Sequence, residues 1–183
     1  MIETFKELVA YLKNPVLEED PNTDLQYRLK KFGHLFIISV VSIGLLTPIL
    51  ALIEASGLIN MDNHAVVEMM ENLPKIAVFF FAAVFAPLIE EVIFRGPLTI
   101  FKEKKSFKFG FYIFAILFGL VHITNYTITT NVLLLLPVLV APQIILGGYL
   151  GFIRIRFGLG WSILLHACYN AFFISLSFAG LST

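Results

Sequence analysis

Two adjacent acids inside an apolar run are the first residues to ask for chemistry. Glu90 and Glu91 lie in Ala86-Pro87-Leu88-Ile89-Glu90-Glu91-Val92-Ile93-Phe94-Arg95, with Phe79-Phe80-Phe81 before and Pro97-Leu98-Thr99-Ile100 after. A charged side chain at membrane depth costs about 2.5–3.5 kcal/mol even on the lenient insertion scale, so such a group marks function by default. Other apolar stretches carry His122, one turn after Phe118, and His166 with Asn170. Residues four apart share a helix face. His166 and Asn170 therefore point the same way, and so do Glu91 and Arg95, which form a neutralising pair. Glu90 is rotated by about 100° from Glu91 on a helix of 3.6 residues per turn, and it has no local cation. An unpaired acid, imidazoles and an amide suit acid–base work. They also suit metal ligation: Glu90, His122 and His166 would give a catalytic zinc three protein ligands and an open fourth position. The H-E-x-x-H helix of metalloproteases is absent. A metal-independent site with no cofactor is the preferred reading. His34 and His64 fall in boundary or loop positions and receive no role. Cys168 is rotated off the His166–Asn170 face and reads as packing, and Ser162 lacks a G-x-S-x-G elbow and reads as structural.

Apolar helices must position these groups. The chain has 183 residues, of which 58% are hydrophobic and 14% charged. Its mean hydropathy is +0.86. A soluble domain of this size cannot hide that much apolar surface, and the long runs do not alternate as barrel strands would. The expectation is an all-α, polytopic transmembrane bundle of about five spans. They run over Leu35–Ile53, Ile76–Ile100, Phe109–Tyr126, Val132–Ile153 and Leu159–Phe178. Residues 1–30 form an N-terminal segment, 31–183 the transmembrane domain, and 76–178 the core that carries the polar groups. In the first of these, Ile2, Phe5, Val9 and Leu12 recur at helical spacing among charges, which predicts an amphipathic interfacial helix ended by Asn14-Pro15. Pro137 and Pro142 predict a kink in the fourth span, and Gly147 and Gly151 a close helix approach. The formal net charge of zero argues against nucleic acid as a partner. A single cysteine, Cys168, leaves no intrachain disulfide.

Basic residues orient the spans. Arg28, Lys30 and Lys31 precede the first, Lys102, Lys104, Lys105 and Lys108 separate the second from the third, and Arg154 and Arg156 separate the fourth from the fifth. The positive-inside rule then puts the N-terminus in the cytoplasm. Depth offers a check. At a rise of about 1.5 Å per residue, Glu90 lies roughly 18 Å from Lys102, His122 roughly 21 Å from Lys108, and His166 and Asn170 roughly 15 and 21 Å from Arg156. Candidates on separate helices thus fall in one thin layer.

The motifs Glu90-Glu91-Val92-Ile93-Phe94-Arg95, Phe118-Gly119-Leu120-Val121-His122 and His166-Ala167-Cys168-Tyr169-Asn170 read E-E-x-x-x-R, F-x-x-x-H and H-x-x-x-N, in that order. This resembles the CAAX protease and bacteriocin-processing family, also called type II CAAX prenyl endopeptidases or the Abi family. The resemblance runs from about Ile76 to Phe178. It implies an intramembrane peptidase in which Glu90 and His122 activate a water and His166 and Asn170 stabilise the oxyanion, with Glu91 and Arg95 in support. The partners implied are membrane lipid and a membrane-associated peptide or protein, in the cell membrane. A different class also fits the residues: a non-catalytic, immunity-type membrane protein that binds or scaffolds a partner with the same polar pocket. A transporter with a carboxylate relay fits less well, because no inverted repeat is visible.

Overall fold

In the structure, a computed structural model that describes residues 1–60 and 64–180, the described residues form helices and no strand. Among the described residues, five stretches are long and apolar enough to cross a membrane: Leu25–Ala55, Lys75–Ile100, Lys104–Asn125, Thr130–Phe157 and Leu159–Phe178. The last has the bounds that hydropathy predicts. The others begin earlier, and the first by ten residues, because hydropathy marks only the apolar centre of a helix. Backbone hydrogen bonds carry the helix on through polar ends such as Arg28 and Lys104.

Helix α1 (Ile2–Lys13) precedes the first span, which is α2 (Leu25–Gly44) followed by α3 (Thr47–Ala55). Asp24 caps α2 by accepting the Tyr27 N–H at 2.8 Å. A short α4 (Ala65–Asn72) leads to the second span, made of α5 (Lys75–Phe80), a π turn (Phe81–Phe85), α6 (Ala86–Phe94) and a 3-10 turn (Gly96–Ile100). The third span is α7 (Lys104–Val121), closed by a 3-10 turn that begins at His122. The fourth breaks at Val140 into α8 (Thr130–Leu139) and α9 (Ala141–Phe157). The proline at position 142 cannot donate to the Val138 carbonyl, so the helix does not run straight through. Gly158, at φ +106°, makes the tight turn into α10 (Leu159–Phe178).

Helices α7 and α9 pack closely together, and glycine permits it. A Cβ on Gly119 would lie 2.2 Å from Ile144 Cγ1, and one on Gly151 would lie 2.6 Å from Phe111 Cε2. The small-residue face of α9 is thus used within the chain. Phe107, Phe118, Leu150, Phe152, Ile153 and Leu165 form the centre of the core.

Helix α1 ends at Asn14, as its sequence predicts. It does not lie apart from the bundle, however. Leu8 and Tyr11 are buried in the main core, and the Thr4 hydroxyl meets His34 Nδ1 at 2.9 Å. Ile2 and Phe5, the start of the predicted apolar stripe, face outward. The stripe divides because Leu8, Tyr11 and Leu12 make a second apolar edge, and the bundle covers that one. Charges lock the segment down. Asp20 accepts from Tyr27 Oη at 2.9 Å and Lys31 Nζ at 3.1 Å, and Lys31 also meets Glu7 at 2.6 Å. Arg156 comes within 3.5 Å of Asp20. Burial alone would raise the Asp20 carboxyl, but the hydrogen bonds from the Asn22 N–H, Tyr27 and Lys31 hold it below the usual carboxylate range. Lys108 reaches the Lys13 carbonyl at 3.4 Å. Lys31, Lys108 and Arg156, which flank three different spans, therefore gather at one end of the bundle beside α1.

Candidate active site

The site starts from an irregularity in the second span. The Ala86 N–H bonds back five residues, to the Phe81 carbonyl. In that π register the next bond would run from residue 87 to the Ala82 carbonyl. Residue 87 is proline and has no N–H to give. Asn170 supplies the missing donor from α10, its Nδ2 donating to the Ala82 carbonyl at 2.8 Å. A single π turn of this kind is frequent where helices carry function. Here it fixes the last predicted site residue to the helix that carries the first.

Beyond the π turn, α6 presents its two acids differently. Glu91 is fully buried and Arg95 is 1% exposed. Arg95 Nη1 lies 3.0 Å from Glu91 Oε1, a charge contact rather than an aligned hydrogen bond. Its Nη2 donates to the Gly147 carbonyl at 3.3 Å, and the guanidinium lies 3.9 Å from the centre of the Phe118 ring. The predicted i, i+4 pair is present, but Glu91 does more than neutralise Arg95. It also accepts from the Ser162 hydroxyl and from His166 Nδ1, the latter at 3.0 Å. Ser162, His166 and Asn170 repeat every four residues on α10, so the spacing that pairs His166 with Asn170 extends one turn further back. The G-x-S-x-G test asks whether Ser162 is a nucleophile, and it is blind to a serine that anchors a carboxylate.

Partner chemistry fixes the imidazole protons. His122 Nδ1 lies 2.7 Å from the Phe118 carbonyl, which can only accept, so Nδ1 carries hydrogen. The neutral ring then has a bare Nε2. His166 Nδ1 faces a carboxylate already paired with Arg95, so it also donates, and its Nε2 comes 3.7 Å from Glu90 Oε2. That Glu90 oxygen is buried and has no hydrogen-bond partner among the described residues.

Glu90, His122, His166 and Asn170 line one cavity of about 380 Å³. The four candidates from α6, the turn after α7, and α10 are thus brought together. Glu91 and Arg95 lie behind the wall. Cys168 is not part of the lining. His64 is, although its loop position singles it out for nothing. It accepts the Val66 N–H on Nδ1 at 3.3 Å and sits edge-on to Tyr126 at 4.9 Å. Burial, and then the neighbouring His122, hold its ring below the ordinary imidazole range. Gln143 lines the cavity from α9. An amide in an apolar span is a signal of the same kind as Asn170, and it carries no motif. For the zinc alternative, no group of three or more His, Cys, Asp or Glu side chains among the described residues is arranged to hold a metal ion. Glu90, His122 and His166 all line the same cavity.

A family model described as Type II CAAX prenyl endopeptidase Rce1-like matches residues 72–172, more than half of the chain. No curated protein and no solved structure matches the chain. The matched stretch begins at the end of α4, runs into α10, and takes in every residue of the three motifs. It lies on a multi-pass membrane bundle, the setting that such a peptidase requires. The chain belongs to the type II CAAX prenyl endopeptidase Rce1-like family.

Proposed function

We propose that this chain is an intramembrane endopeptidase that hydrolyses a peptide bond of a membrane-associated peptide or protein, with water activated by Glu90 and His122. Family membership supports a protease. The observation that supports the mechanism is the Glu90 carboxylate: it faces a shared cavity, and one of its oxygens is buried with no hydrogen-bond partner among the described residues. An acid kept in this state is available to a water.

In the proposed reaction, a water donates one hydrogen bond to Glu90 and the other to the bare Nε2 of His122. Glu90 takes a proton as the water oxygen attacks the scissile carbonyl. The oxyanion receives the second Asn170 N–H, the first being held by Ala82, and the Nε2–H of a protonated His166. As the tetrahedral intermediate collapses, the C–N bond breaks and Glu90 passes its proton to the leaving amine. Protein side chains and water carry every step.

The gathering of Lys31, Lys108 and Arg156 at the α1 end supports a cytoplasmic N-terminus by the positive-inside rule. His64, Met69, Asn125 and Ser177 line the cavity at the span ends opposite α1, so access is then from the side away from the cytoplasm or sideways from lipid. The test is cleavage of a farnesylated CAAX peptide, and of the same peptide without its prenyl group, by the chain in lipid nanodiscs. Glu90→Gln should lower kcat/KM by about 10²- to 10⁴-fold, the usual worth of a general base. A folded Glu90→Gln protein with the wild-type rate would leave the binding or scaffold alternative standing.

A further inference from the structure

We infer that Gln143 holds the substrate's peptide backbone in the cavity, a role that rests on the endopeptidase reading above. Gln143 lies in the first turn of α9, on a different helix from Glu90, His166 and Asn170, and lines the same cavity. Its Oε1 is buried and has no hydrogen-bond partner among the described residues. Among the described residues, the only other orphan acceptor of this kind is Glu90 Oε2. The remaining buried atoms without a hydrogen bond, Arg95 Nη1 and Arg156 Nε, each face a carboxylate, at 3.0 and 3.8 Å. The cavity therefore presents two unmatched acceptors, one charged and one neutral, and both call for an N–H or O–H donor.

The two acceptors suit different guests. Glu90 serves the water. Gln143 offers a carboxamide, the same chemical group as a peptide unit, which can accept a backbone N–H on Oε1 and donate from Nε2 to a backbone C=O. An amide grips an extended backbone without asking for a charge on its side chains. Leu146, one turn later on the same cavity wall, is apolar and offers no competing donor. With His166 and Asn170 on α10 assigned to the oxyanion, Gln143 is placed to fix the flanking backbone.

The test measures binding of a fluorescent farnesylated CAAX peptide, and of analogues N-methylated at each backbone N–H in turn, to the full chain in nanodiscs. Using Glu90→Gln protein prevents turnover. One N-methyl analogue should bind about 10- to 100-fold more weakly than the parent, the range for a buried acceptor left unmatched. In the Glu90→Gln/Gln143→Leu protein, the parent and that analogue should bind alike, both weakly. The scan needs no Gln143 variant to speak: if no N-methyl group matters, the inference is overturned. It is overturned equally if Gln143→Leu keeps the parent's affinity and its N-methyl profile. Hydrolysis of the same peptide by the wild-type chain separates the two readings. A Gln143-dependent profile without hydrolysis keeps the backbone grip and removes the peptidase, whereas hydrolysis with a Gln143-independent profile does the reverse.

Discussion

At the α1 end of the bundle, Asp20, Glu7, Lys31 and Arg156 interlock, and each acid there has a cation within 3.1 Å. In the interior, Glu90, Glu91, Arg95 and His166 form a cluster of the same size. There Glu91 is saturated by Arg95, His166 and Ser162, but Glu90 stands 3.7 Å from His166 Nε2 with one oxygen unmatched among the described residues. The first cluster fastens a terminal helix to two spans. The second uses one acid to build a scaffold and holds the other in reserve. The difference lies in satisfaction rather than in composition. In the proposed reading, the charges that are fully partnered serve position, and the one that is not serves reaction.

The largest effect on the fold should come from the saturated acid. Glu91→Leu leaves Arg95 buried without its counter-charge, which costs about 3–5 kcal/mol. Thermal unfolding in nanodiscs should show a large drop in Tm or no folded protein. The double change Glu91→Leu/Arg95→Met should regain most of that loss, because an apolar pair of similar volume replaces the ion pair. If the double variant is no more stable than the single one, the scaffold role is wrong. A smaller effect is expected at Ser162. Ser162→Ala removes one hydrogen bond from Glu91 and should cost about 1–2 kcal/mol of stability. It should also lower kcat more than it raises KM, since Glu91 orients His166 and Ser162 does not reach the cavity. An equal loss in every parameter would make it packing alone.

The smallest effect belongs to the peripheral cluster. Asp20→Asn should cost about 0.5–1 kcal/mol near neutral pH. Because the folded Asp20 carboxyl is held below its usual range, its contribution is complete above the unfolded value near about 3.9 and fades as pH falls through the lower folded value. Unfolding curves of wild type and Asp20→Asn should therefore converge below about pH 4. A gap that persists at lower pH would contradict the assignment.

Much of this is visible in the residues themselves. Five spans follow from five long apolar runs, and the i, i+4 rule places Glu91 with Arg95 and His166 with Asn170. Irregular backbone is harder to read. Phe79 to Phe85 are uniformly apolar, so no periodicity reports a π turn, and only Pro87 hints that a carbonyl upstream goes begging. Inter-helix partners are harder still. Nothing along the chain connects Ser162 with Glu91, or His64 and Gln143 with His122, because those meetings depend on how helices pack. Close packing is in turn set by Gly119 and Gly151, whose meaning as contact points appears only against Ile144 and Phe111. The N-terminal helix shows the same limit: its apolar residues are evident, but which edge meets protein and which meets lipid depends on the bundle it lands on.

The central claim is that Glu90 serves reaction and not stability. Thermal midpoint and kcat/KM measured side by side on Glu90→Gln test it most directly. The account predicts a rate lower by about 10²- to 10⁴-fold with Tm close to the wild-type value, because the Glu90 side chain is a quarter exposed and its buried oxygen accepts no hydrogen bond among the described residues. A fall in Tm like that of Glu91→Leu, with hydrolysis intact, would contradict it.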